Sequence, residues 1–429
     1  MSATTGYLAS RRQAYFVFAL LFLLYMFDYV ARLVIVALFP ALKQEWGITD
    51  TQCGMLVSAV YWSILAFSLP ASVLVDRWSR KKSIAIMAIL WSLATAACAL
   101  AQGFGQLLAA RAAVGIGEAG YAPGGAAMLS AAFSEEKRAR VIGLWNASIP
   151  LGSALGMVVG GLVSDQIGWR YAFLIVAVPG LLAGLLFFTV TDYKTVDLAR
   201  TTAGESRRAR AQLRPGEIAS QLLRIRTLIF NNLGFAANTF VTTSLLTWLP
   251  TYLHRTEGLP MTEAGTRGAG VMLLAVVGAP LGGFLADHWQ KRRPNARMLL
   301  AATSSLGTAI ALLIAFTAFP PGGAQYAMLL CAGLTAVAFA PAATAVTQDV
   351  VHPGLRATSA SVCVVVQHLL GSAIGPTFVG AISDRTDLGT ALALLPAFSF
   401  VAAILFFVGS FFYEADVASV ENVTLEVEH

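Results

Sequence analysis

Twelve apolar stretches, each long enough to cross a lipid bilayer as a helix, run along this chain of 429 residues. A hydrocarbon core of about 30 Å needs roughly 20 apolar residues in a helix, and lipid cannot satisfy open backbone groups. Hydrophobic residues make up 57% of the chain and charged residues only 12%, against about 25% charged in soluble domains. The sequence therefore predicts an all-α membrane protein, with spans 1 to 12 at 14–38, 52–75, 83–103, 106–132, 141–164, 171–191, 227–253, 268–287, 298–318, 325–349, 357–382 and 390–413.

An arginine-rich polar stretch separates the first six spans from the last six. We expect an N-terminal six-helix bundle over 1–191, a cytoplasmic linker over 192–226 and a C-terminal six-helix bundle over 227–429. The linker is either a solvated connection or a basic amphipathic helix on anionic lipid. The first apolar run is too long for the hydrophobic part of a signal peptide, so we interpret it as span 1.

Lysine and arginine are distributed unevenly between the two sides of the predicted membrane. The N-terminus and the loops after even-numbered spans hold 22 of them, and the loops after odd-numbered spans hold five. Cytoplasmic loops carry such an excess, so we expect both termini in the cytoplasm of a multi-pass protein of the bacterial inner membrane. The formal net charge of +6 thus belongs mainly to these loops and does not indicate nucleic-acid binding.

Two loops repeat each other in the two halves of the chain. The segments 72–82 and 283–293 each carry an aspartate followed by a basic cluster. An aspartate at a helix end beside basic residues can bridge neighbouring helices and bias one conformation. The positive-inside rule alone also explains the basic residues, but the aspartate recurs with them. We therefore predict a conformational clamp made by Asp76, Arg77, Arg80, Asp287 and Lys291.

Spans 5 and 11 share a second repeated pattern. Three glycines and an aspartate recur at a separation of 219 residues. Glycines four apart line one helix face and let a neighbouring backbone approach closely. We predict helix packing through Gly152, Gly156, Gly371 and Gly375, with Gly161, Gly380, Asp165 and Asp384 completing the pattern.

These repeated residues resemble the signatures of the major facilitator superfamily over essentially the whole chain. The two loops resemble its loop motif, the span 5 glycines its fifth-helix motif, and Arg111-x-x-x-Gly115-x-Gly117 its fourth-helix motif. Ser72 stands where the loop motif prefers glycine, and His288 where it usually has arginine. The resemblance implies two six-helix bundles around a central cavity, with alternating access by rocking.

Within the superfamily, two branches share features with this chain. The run 115–123, GIGEAGYAP, and the run 149–156, IPLGSALG, resemble spinster-type transporters. The Gly-Glu-Ala pattern with a nearby proline is also similar to anion:cation symporters for sugar acids. Both branches stay open at this point.

Four ionisable residues lie inside predicted spans, where a charge costs about 2.5–3.5 kcal/mol on insertion scales. They are Asp28, Arg32, Arg111 and Glu118. The helical rise places both carboxylates near the middle of the membrane, with the arginines about 6 Å and about 10 Å further out. We predict proton coupling at Asp28 and Glu118 in preference to salt bridges that only hold helices together. For Arg111 a structural role is as reasonable as a functional one.

The repeat leaves these charges unmatched. A separation of 218 residues, which aligns Pro123 with Pro341, places Leu329 opposite Arg111 and Ala336 opposite Glu118. The helical scaffold is duplicated and the charge is not, which favours chemistry over architecture as the reason for the charge. Polar residues of spans 7 and 11 add candidates, and for the histidine the capping of a backbone carbonyl is an equally reasonable role. We predict substrate binding by Arg32, Arg111, Tyr121, Asn238, Gln367 and His368.

These observations favour a secondary transporter, with proton-coupled symport of a small organic anion as the leading function. Export of a lysolipid or another amphipathic molecule is the alternative within transporters. No HExxH, GxSxG or phosphate-binding loop indicates an enzyme. We expect no cofactor or metal, because the four cysteines are scattered. The expected partners are an anionic substrate, protons and the bilayer, around a monomer.

Overall fold

The computed structural model of the protein describes residues 11–191, 222–352 and 355–420, which form helices and no strand. Most of the predicted linker, residues 192–221, lies outside them. In the first half, each span is one helix or two consecutive ones. The helices are Arg11–Leu33 with a 3-10 turn at Val34–Ala37, Phe39–Trp46, Asp50–Arg77, Arg80–Ala99, Phe104–Glu118, Tyr121–Ala132, Glu135–Asn146, Ser148–Gln166 and Trp169–Phe187.

The second half repeats this arrangement with more interruptions. Its helices are Arg226–Glu257, Met261–Gln290, Ala296–Thr317, Gly323–Thr335, Ala340–Asp349, Arg356–Gln367, Gly375–Ser383, Leu388–Leu392, Leu395–Ser410 and Tyr413–Ala418. A π-helical turn at His368–Ser372 interrupts span 11. We call the end of the molecule that carries residues 191 and 222 the linker end, and the opposite end the far end.

Local signals explain where span 2 begins. The helix Phe39–Trp46 ends at Gly47, whose φ of 64° is a left-handed conformation that glycine adopts without strain. Thr49 then caps the next helix: its hydroxyl accepts from the backbone N–H of Gln52, and the Gln52 side chain accepts from the backbone N–H of Thr49. This reciprocal capping box fixes Asp50 at the first turn of span 2.

Ten helices in the described residues are long and apolar enough to cross a membrane. The other two predicted spans are helical as well, but each departs from the apolar rule. Span 4 is divided between Phe104–Glu118 and Tyr121–Ala132. Span 7 is one helix of 32 residues whose buried positions include several asparagines and threonines. The twelve-span architecture of the prediction is therefore present.

Glycines bring the two bundles into backbone contact toward the far end. A methyl group on Gly54 of span 2 would lie 2.4 Å from the carbonyl oxygen of Pro376 in span 11. A methyl group on Gly265 of span 8 would lie 2.5 Å from the carbonyl oxygen of Met157 in span 5. The two contacts are equivalent under the sequence repeat. The interface between the bundles is therefore pseudo-symmetric.

The repeated glycines of spans 5 and 11 pack inside their own bundles. A methyl group on Gly152 or Gly156 would lie within 2.7 Å of a backbone oxygen of span 1. In the other bundle, one on Gly371 would lie 2.8 Å from the Ala236 carbonyl oxygen, and one on Gly375 would lie 2.4 Å from Ser244 Oγ, both in span 7. Only glycine allows these approaches.

The clamp region has a different partner from the one predicted. The structure describes the helix at Asp76 and Arg77 but not their side chains, and Arg80 begins the span 3 helix. Asp287 lies 3.5 Å from Arg297, which also pairs with Asp349. These contacts join spans 8, 9 and 10. Lys291 is exposed and forms no ion pair with a described residue, so its part in the clamp stays a prediction, and Arg297 is the observed partner of Asp287.

Candidate substrate and proton site

Arg32 forms the centre of a buried charged cluster between spans 1 and 4. One of its guanidinium nitrogens, Nη2, donates to Asp28 Oδ2 at 2.9 Å and to Glu118 Oε2 at 2.8 Å. The three side chains are 7%, 2% and 1% exposed. Asp28 reaches Arg32 because residues four apart share a helix face. Glu118 approaches from span 4 of the same bundle.

The break in span 4 explains the position of Glu118. Its helix ends at this residue, and the next begins at Tyr121. Gly115 and Gly117 allow close packing: methyl groups there would lie 2.3 Å from the Val60 carbonyl oxygen and 2.7 Å from the Trp91 nitrogen. The carboxylate is therefore held at a helix interruption inside the bundle. Interrupted helices of this kind commonly form binding sites in transporters.

The cluster has unused hydrogen-bonding capacity. Asp28 Oδ1, Glu118 Oε1 and Arg32 Nε are buried and have no hydrogen-bond partner among the described residues. Buried polar atoms are normally satisfied, so such atoms point to a missing ligand, water or proton. Two carboxylates also share one guanidinium. The arrangement can therefore accept one proton or exchange a carboxylate for an anionic ligand.

Aromatic rings surround the guanidinium. Its carbon atom lies 4.5 Å from the centre of the Tyr29 ring and 5.4 Å from that of Tyr61. A cation over an aromatic face is stabilised by about 0.5–2 kcal/mol, depending on how far it is desolvated. Tyr25 packs against Tyr29 edge to face. The site therefore combines charge with a flat apolar wall.

His368 brings the second bundle to this cluster. Its ring stacks on Tyr61, with centroids 5.6 Å apart and planes at 28°. His368 Nδ1 is buried and has no hydrogen-bond partner among the described residues, so the structure shows no carbonyl cap at this atom. The residue begins the π-helical turn of span 11. Such turns occur often at functional sites.

Arg111 occupies a different environment from the one predicted for a substrate ligand. Its guanidinium is fully buried and donates to the backbone carbonyls of Ala31 and Arg32 at 2.9 Å each and of Leu56 at 3.1 Å. The first two lie in the last turn of the span 1 helix, where carbonyls lack helical partners. The geometry therefore favours a structural role: Arg111 ties the end of span 1 to spans 2 and 4.

Three other predicted ligands are committed to their own bundles. The Tyr121 hydroxyl is buried and donates to the Leu21 carbonyl. Asn238 donates to Ser305 Oγ at 2.7 Å and is 2% exposed. Gln367 donates to Cys363 Sγ at 3.1 Å. Of the six predicted substrate ligands, Arg32 and His368 both lie against Tyr61, and Arg111 donates to the backbone of Arg32.

Tyr61 joins Arg32 to His368 and was missed in the sequence. It is an ordinary aromatic residue of an apolar span, and neither charge nor spacing distinguishes it. A signal was present only indirectly, because Tyr61 lies near the middle of span 2 and spans of the two bundles meet there. Its importance follows from the stacking geometry alone.

Ion pairs and helix caps close the far end between the bundles. Asp384 of span 11 accepts from the backbone N–H groups of Asp50 and Thr51 at 2.8 Å each, and Asp165 of span 5 accepts from that of Thr262 at 2.8 Å. These two aspartates belong to the repeated pattern of the sequence. Each caps the N-terminus of a helix in the opposite bundle, where the helix dipole favours negative charge.

One of these two caps carries additional charged contacts. The Asp50 carboxylate accepts hydrogen bonds from both terminal nitrogens of Arg255 at 2.6 and 2.7 Å. It also accepts from the Lys43 ammonium at 2.5 Å and from the Ser383 hydroxyl at 2.6 Å. Arg255 and Ser383 belong to the second bundle, and Asp50 to the first. We call the contacts of Asp50 with Arg255 and Ser383 the latch. The position equivalent to Asp50 in the repeat is Met261, which cannot form such an ion pair.

No group of three or more metal-ligating side chains suitable for an ion is present in the part of the chain that the structure describes. The chemistry of the site is therefore argued from its charged, aromatic and histidine side chains.

The fold and the buried charges define a transport protein of the membrane. Residues 21–376 match the Major Facilitator Superfamily. The chain belongs to the Major Facilitator Superfamily, as its loop and helix motifs predicted, and is a multi-pass transporter rather than an enzyme.

Relatives fall in both branches that the sequence indicated. Protein spinster homolog 3 of Danio rerio is 30% identical over 395 residues, covering 87% of this chain and 78% of the relative. The hexuronate transporter of Bacillus subtilis (strain 168) is 28% identical over 374 residues, covering 85% and 87%. The sphingosine-1-phosphate transporter SPNS2 of Mus musculus is 28% identical over 424 residues, covering 92% and 77%.

A solved structure supports the fold. A bacterial homolog of the human lysosomal transporter spinster, in an inward-facing and unoccupied conformation, superposes with a TM-score of 0.81 at 23% identity. The alignment covers 95% of this chain and 99% of that one. The match extends over both bundles.

Proposed function

We propose that this protein is a symporter that couples the entry of protons to the uptake of a small organic anion, a carboxylate such as a sugar acid. The observation that carries the proposal is the sharing of Arg32 Nη2 between Asp28 and Glu118. Two carboxylates more than neutralise one guanidinium, so an anion binds Arg32 favourably only when one of the carboxylates gives up its negative charge. Protonation of a carboxylate provides that release, so substrate and proton are linked.

The proposed cycle uses residues of both bundles. A proton from outside neutralises Glu118 or Asp28, and the freed Arg32 binds the carboxylate of the substrate. His368 and Tyr61 contact the bound molecule from the other side of the cavity. Because the substrate then bridges both bundles, its binding favours their closure around it. Release of the substrate and of the proton on the opposite side restores the ion pairs of Arg32.

We place the linker end in the cytoplasm, on the basis of the excess of basic residues in its loops. The contacts at Asp50, Asp165 and Asp384 then close the outer side, so this conformation is inward-facing. The proposed location is the inner membrane of a bacterium, and the proposed working unit is the monomer. The substrate class is supported by the similarity to a protein named as a hexuronate transporter.

Export of an amphipathic molecule such as a lysolipid is the second candidate. It is favoured by the similarity to spinster proteins and to a protein named as a sphingosine-1-phosphate transporter. The tyrosines around Arg32 suit an apolar body behind an anionic head group. Both candidates use Arg32 to bind the negative charge, and they differ in the size of the rest of the molecule.

A thermal-shift assay on purified protein separates the two candidates. We expect D-glucuronate or a related hexuronate to raise the Tm, because a ligand of the folded state stabilises it by mass action. The variant Arg32→Gln should lose this shift. The control Arg267→Gln, which removes an arginine paired with Glu257 and Glu263 at the far end, should keep it. A shift with lysophospholipids but not with hexuronates would reject the leading proposal in favour of the second.

A further inference from the structure

A second cavity lies on the outer surface of the first bundle, away from the charged cluster. It has a volume of about 240 Å³ and is lined almost entirely by apolar side chains of spans 2, 3 and 4. Several of them are exposed, Phe67 by 43% and Leu90 by 50%. Apolar surface that opens sideways from a bundle faces lipid in a membrane. The cavity is therefore a lipid-facing recess.

The sequence distinguishes this recess from the equivalent place in the second half. Phe67 and Ala71 line it from span 2, and their counterparts under the repeat of 211 residues are Gly278 and Gly282. There, methyl groups would lie 2.0 and 1.9 Å from backbone oxygens of span 10. The two glycines bring spans 8 and 10 into backbone contact at this level, whereas span 2 carries the side chains of Phe67 and Ala71 at the same two positions. The half without glycines has the cavity.

Polar groups mark the linker end of the recess. The Ser83 hydroxyl lines the cavity, is 1% exposed at the residue level and has no hydrogen-bond partner among the described residues. Lys82 is exposed, and its ammonium lies 5.8 Å from the ring of Trp78, another lining residue. A buried hydroxyl without a partner is costly and points to a missing polar ligand. The positive charge beside it favours an anion.

We propose that this recess binds an anionic phospholipid of the leaflet at the linker end. One acyl chain occupies the cavity, the phosphate lies against Lys82, and the Ser83 hydroxyl donates to an ester or phosphate oxygen. From Phe67 to Trp78 the span 2 helix rises about 16 Å, close to half of a bilayer core of about 30 Å. The recess thus extends through one leaflet, which is the depth of an acyl chain.

The size and position of the recess separate it from the transport pathway. Its volume is below the roughly 300–1,000 Å³ of pockets that enclose a whole drug-sized ligand. A single chain fits, and a complete amphipathic substrate does not. Ile116 lines the recess, while Glu118, two residues further on, contacts Arg32 on the inside. The body of span 4 separates the two sites.

Native mass spectrometry of the full-length protein tests this proposal with phosphatidylglycerol and phosphatidylcholine. We expect one tightly held phosphatidylglycerol in the wild type. The variant Leu90→Trp fills the recess and should lower the lipid-bound fraction at least fivefold. Leu93→Trp is the matched control, because Leu93 is an equally exposed leucine of the same helix that does not line the cavity. Equal lipid retention by both variants would overturn the proposal.

The head-group contact is tested in the same experiment. Lys82→Gln should reduce the preference for phosphatidylglycerol over phosphatidylcholine about fivefold, the contribution of one lysine near an anionic surface. Arg293→Gln, the equivalent position of the other loop, should leave the preference unchanged. An unchanged preference in Lys82→Gln would refute the proposed head-group site. Loss of the lipid in Arg32→Gln would instead place it in the central cavity and also contradict the proposal.

Discussion

Arg32 and Arg111 are two buried arginines a short distance apart with opposite tasks. Arg32 is held by groups that can change their charge, Asp28 and Glu118. Arg111 is held by backbone carbonyls, which cannot. A carboxylate that takes up a proton releases its partner, whereas a carbonyl never does. This difference supports the coupling role proposed for Arg32 and a fixed, structural role for Arg111.

The variant Arg111→Lys tests the structural role. A lysine cannot serve the three carbonyls with the same geometry, so we expect the free energy of unfolding to fall by about 3 kcal/mol. Thermal unfolding in detergent measures the change as a lower Tm. The control Arg170→Lys, at an exposed pair with Glu45, should change the Tm little.

Substrate affinity separates this role from direct binding. Once the folded fraction of Arg111→Lys is taken into account, its affinity for the substrate should stay within about twofold of the wild type. A loss of affinity larger than tenfold in protein that is still folded would return Arg111 to the binding site.

At the scale of elements, the far-end closure depends on spans 2, 7 and 11. Asp50 connects them through its bidentate pair with Arg255 and its bond from Ser383. The symmetric contact at Thr262 lacks such a pair. We therefore expect the latch at Asp50, rather than the helix caps, to set the balance between closed and open far ends.

The variant Asp50→Asn should open the far end. It removes the charge from both pairs while keeping the size of the side chain, and we expect the open population to rise about tenfold. Double electron–electron resonance between spin labels on the two bundles measures it. Glu45→Gln, which weakens the Arg170 pair within the first bundle, is the control. An unchanged distance distribution in Asp50→Asn would contradict the role of the latch.

The helix cap at Asp384 should resist acid. Although burial raises the pKa of this carboxyl, hydrogen bonds from Thr51 outweigh that effect and hold it below its usual value. A group with a depressed pKa in the folded state contributes its stabilisation above its unfolded pKa of about 3.9. The contribution is lost only as the pH falls through the lower folded value. Cysteine accessibility at the far end should therefore be the same at pH 8 and pH 5 in a variant that lacks the buried carboxylates, Asp28→Asn/Glu118→Gln.

The same measurement in protein that keeps Asp28 and Glu118 provides the comparison. Any change of far-end cysteine accessibility between pH 8 and pH 5 in that protein should follow protonation of these two carboxylates. A pH-dependent opening that persists without the two carboxylates would show that the far end titrates on its own.

For the whole molecule, the membrane made the fold predictable from the sequence. Each span had to be apolar and about twenty residues long, a local rule that needs no knowledge of distant contacts. The repeat singled out Asp165 and Asp384 but not their role, because their partners, backbone N–H groups at helix starts of the opposite bundle, have no signature in the sequence. The breaks in spans 4 and 11 were not predicted, because Gly120 and the turn at His368 leave the apolar pattern intact.

The site was predictable only where charge marked it. Asp28, Arg32 and Glu118 are conspicuous in lipid, and their depth suggested that they meet. Tyr61 carries no such mark, and the partners of Arg111 are backbone carbonyls, which have no signature in the sequence. Asn238 and Gln367 were chosen for polarity alone, and in the structure they bond within their own bundle.

The broken symmetry of the molecule leads to its central claim. In the proposed mechanism two similar bundles rock against each other, and the buried cluster of Asp28, Arg32 and Glu118 belongs to the first bundle. Transport should therefore depend on protons through that bundle. The variant Glu118→Gln imitates the protonated carboxyl, so it should still exchange substrate across the membrane while losing the link to the proton gradient.

Uptake of labelled hexuronate into proteoliposomes, acidic outside, tests this claim most directly. We predict accumulation above the external concentration that disappears when the pH gradient is collapsed. In Glu118→Gln we predict no accumulation but intact exchange with preloaded substrate. Accumulation in the wild type that ignores the gradient, or gradient-driven accumulation that persists when both carboxylates are removed in Asp28→Asn/Glu118→Gln, would contradict the account.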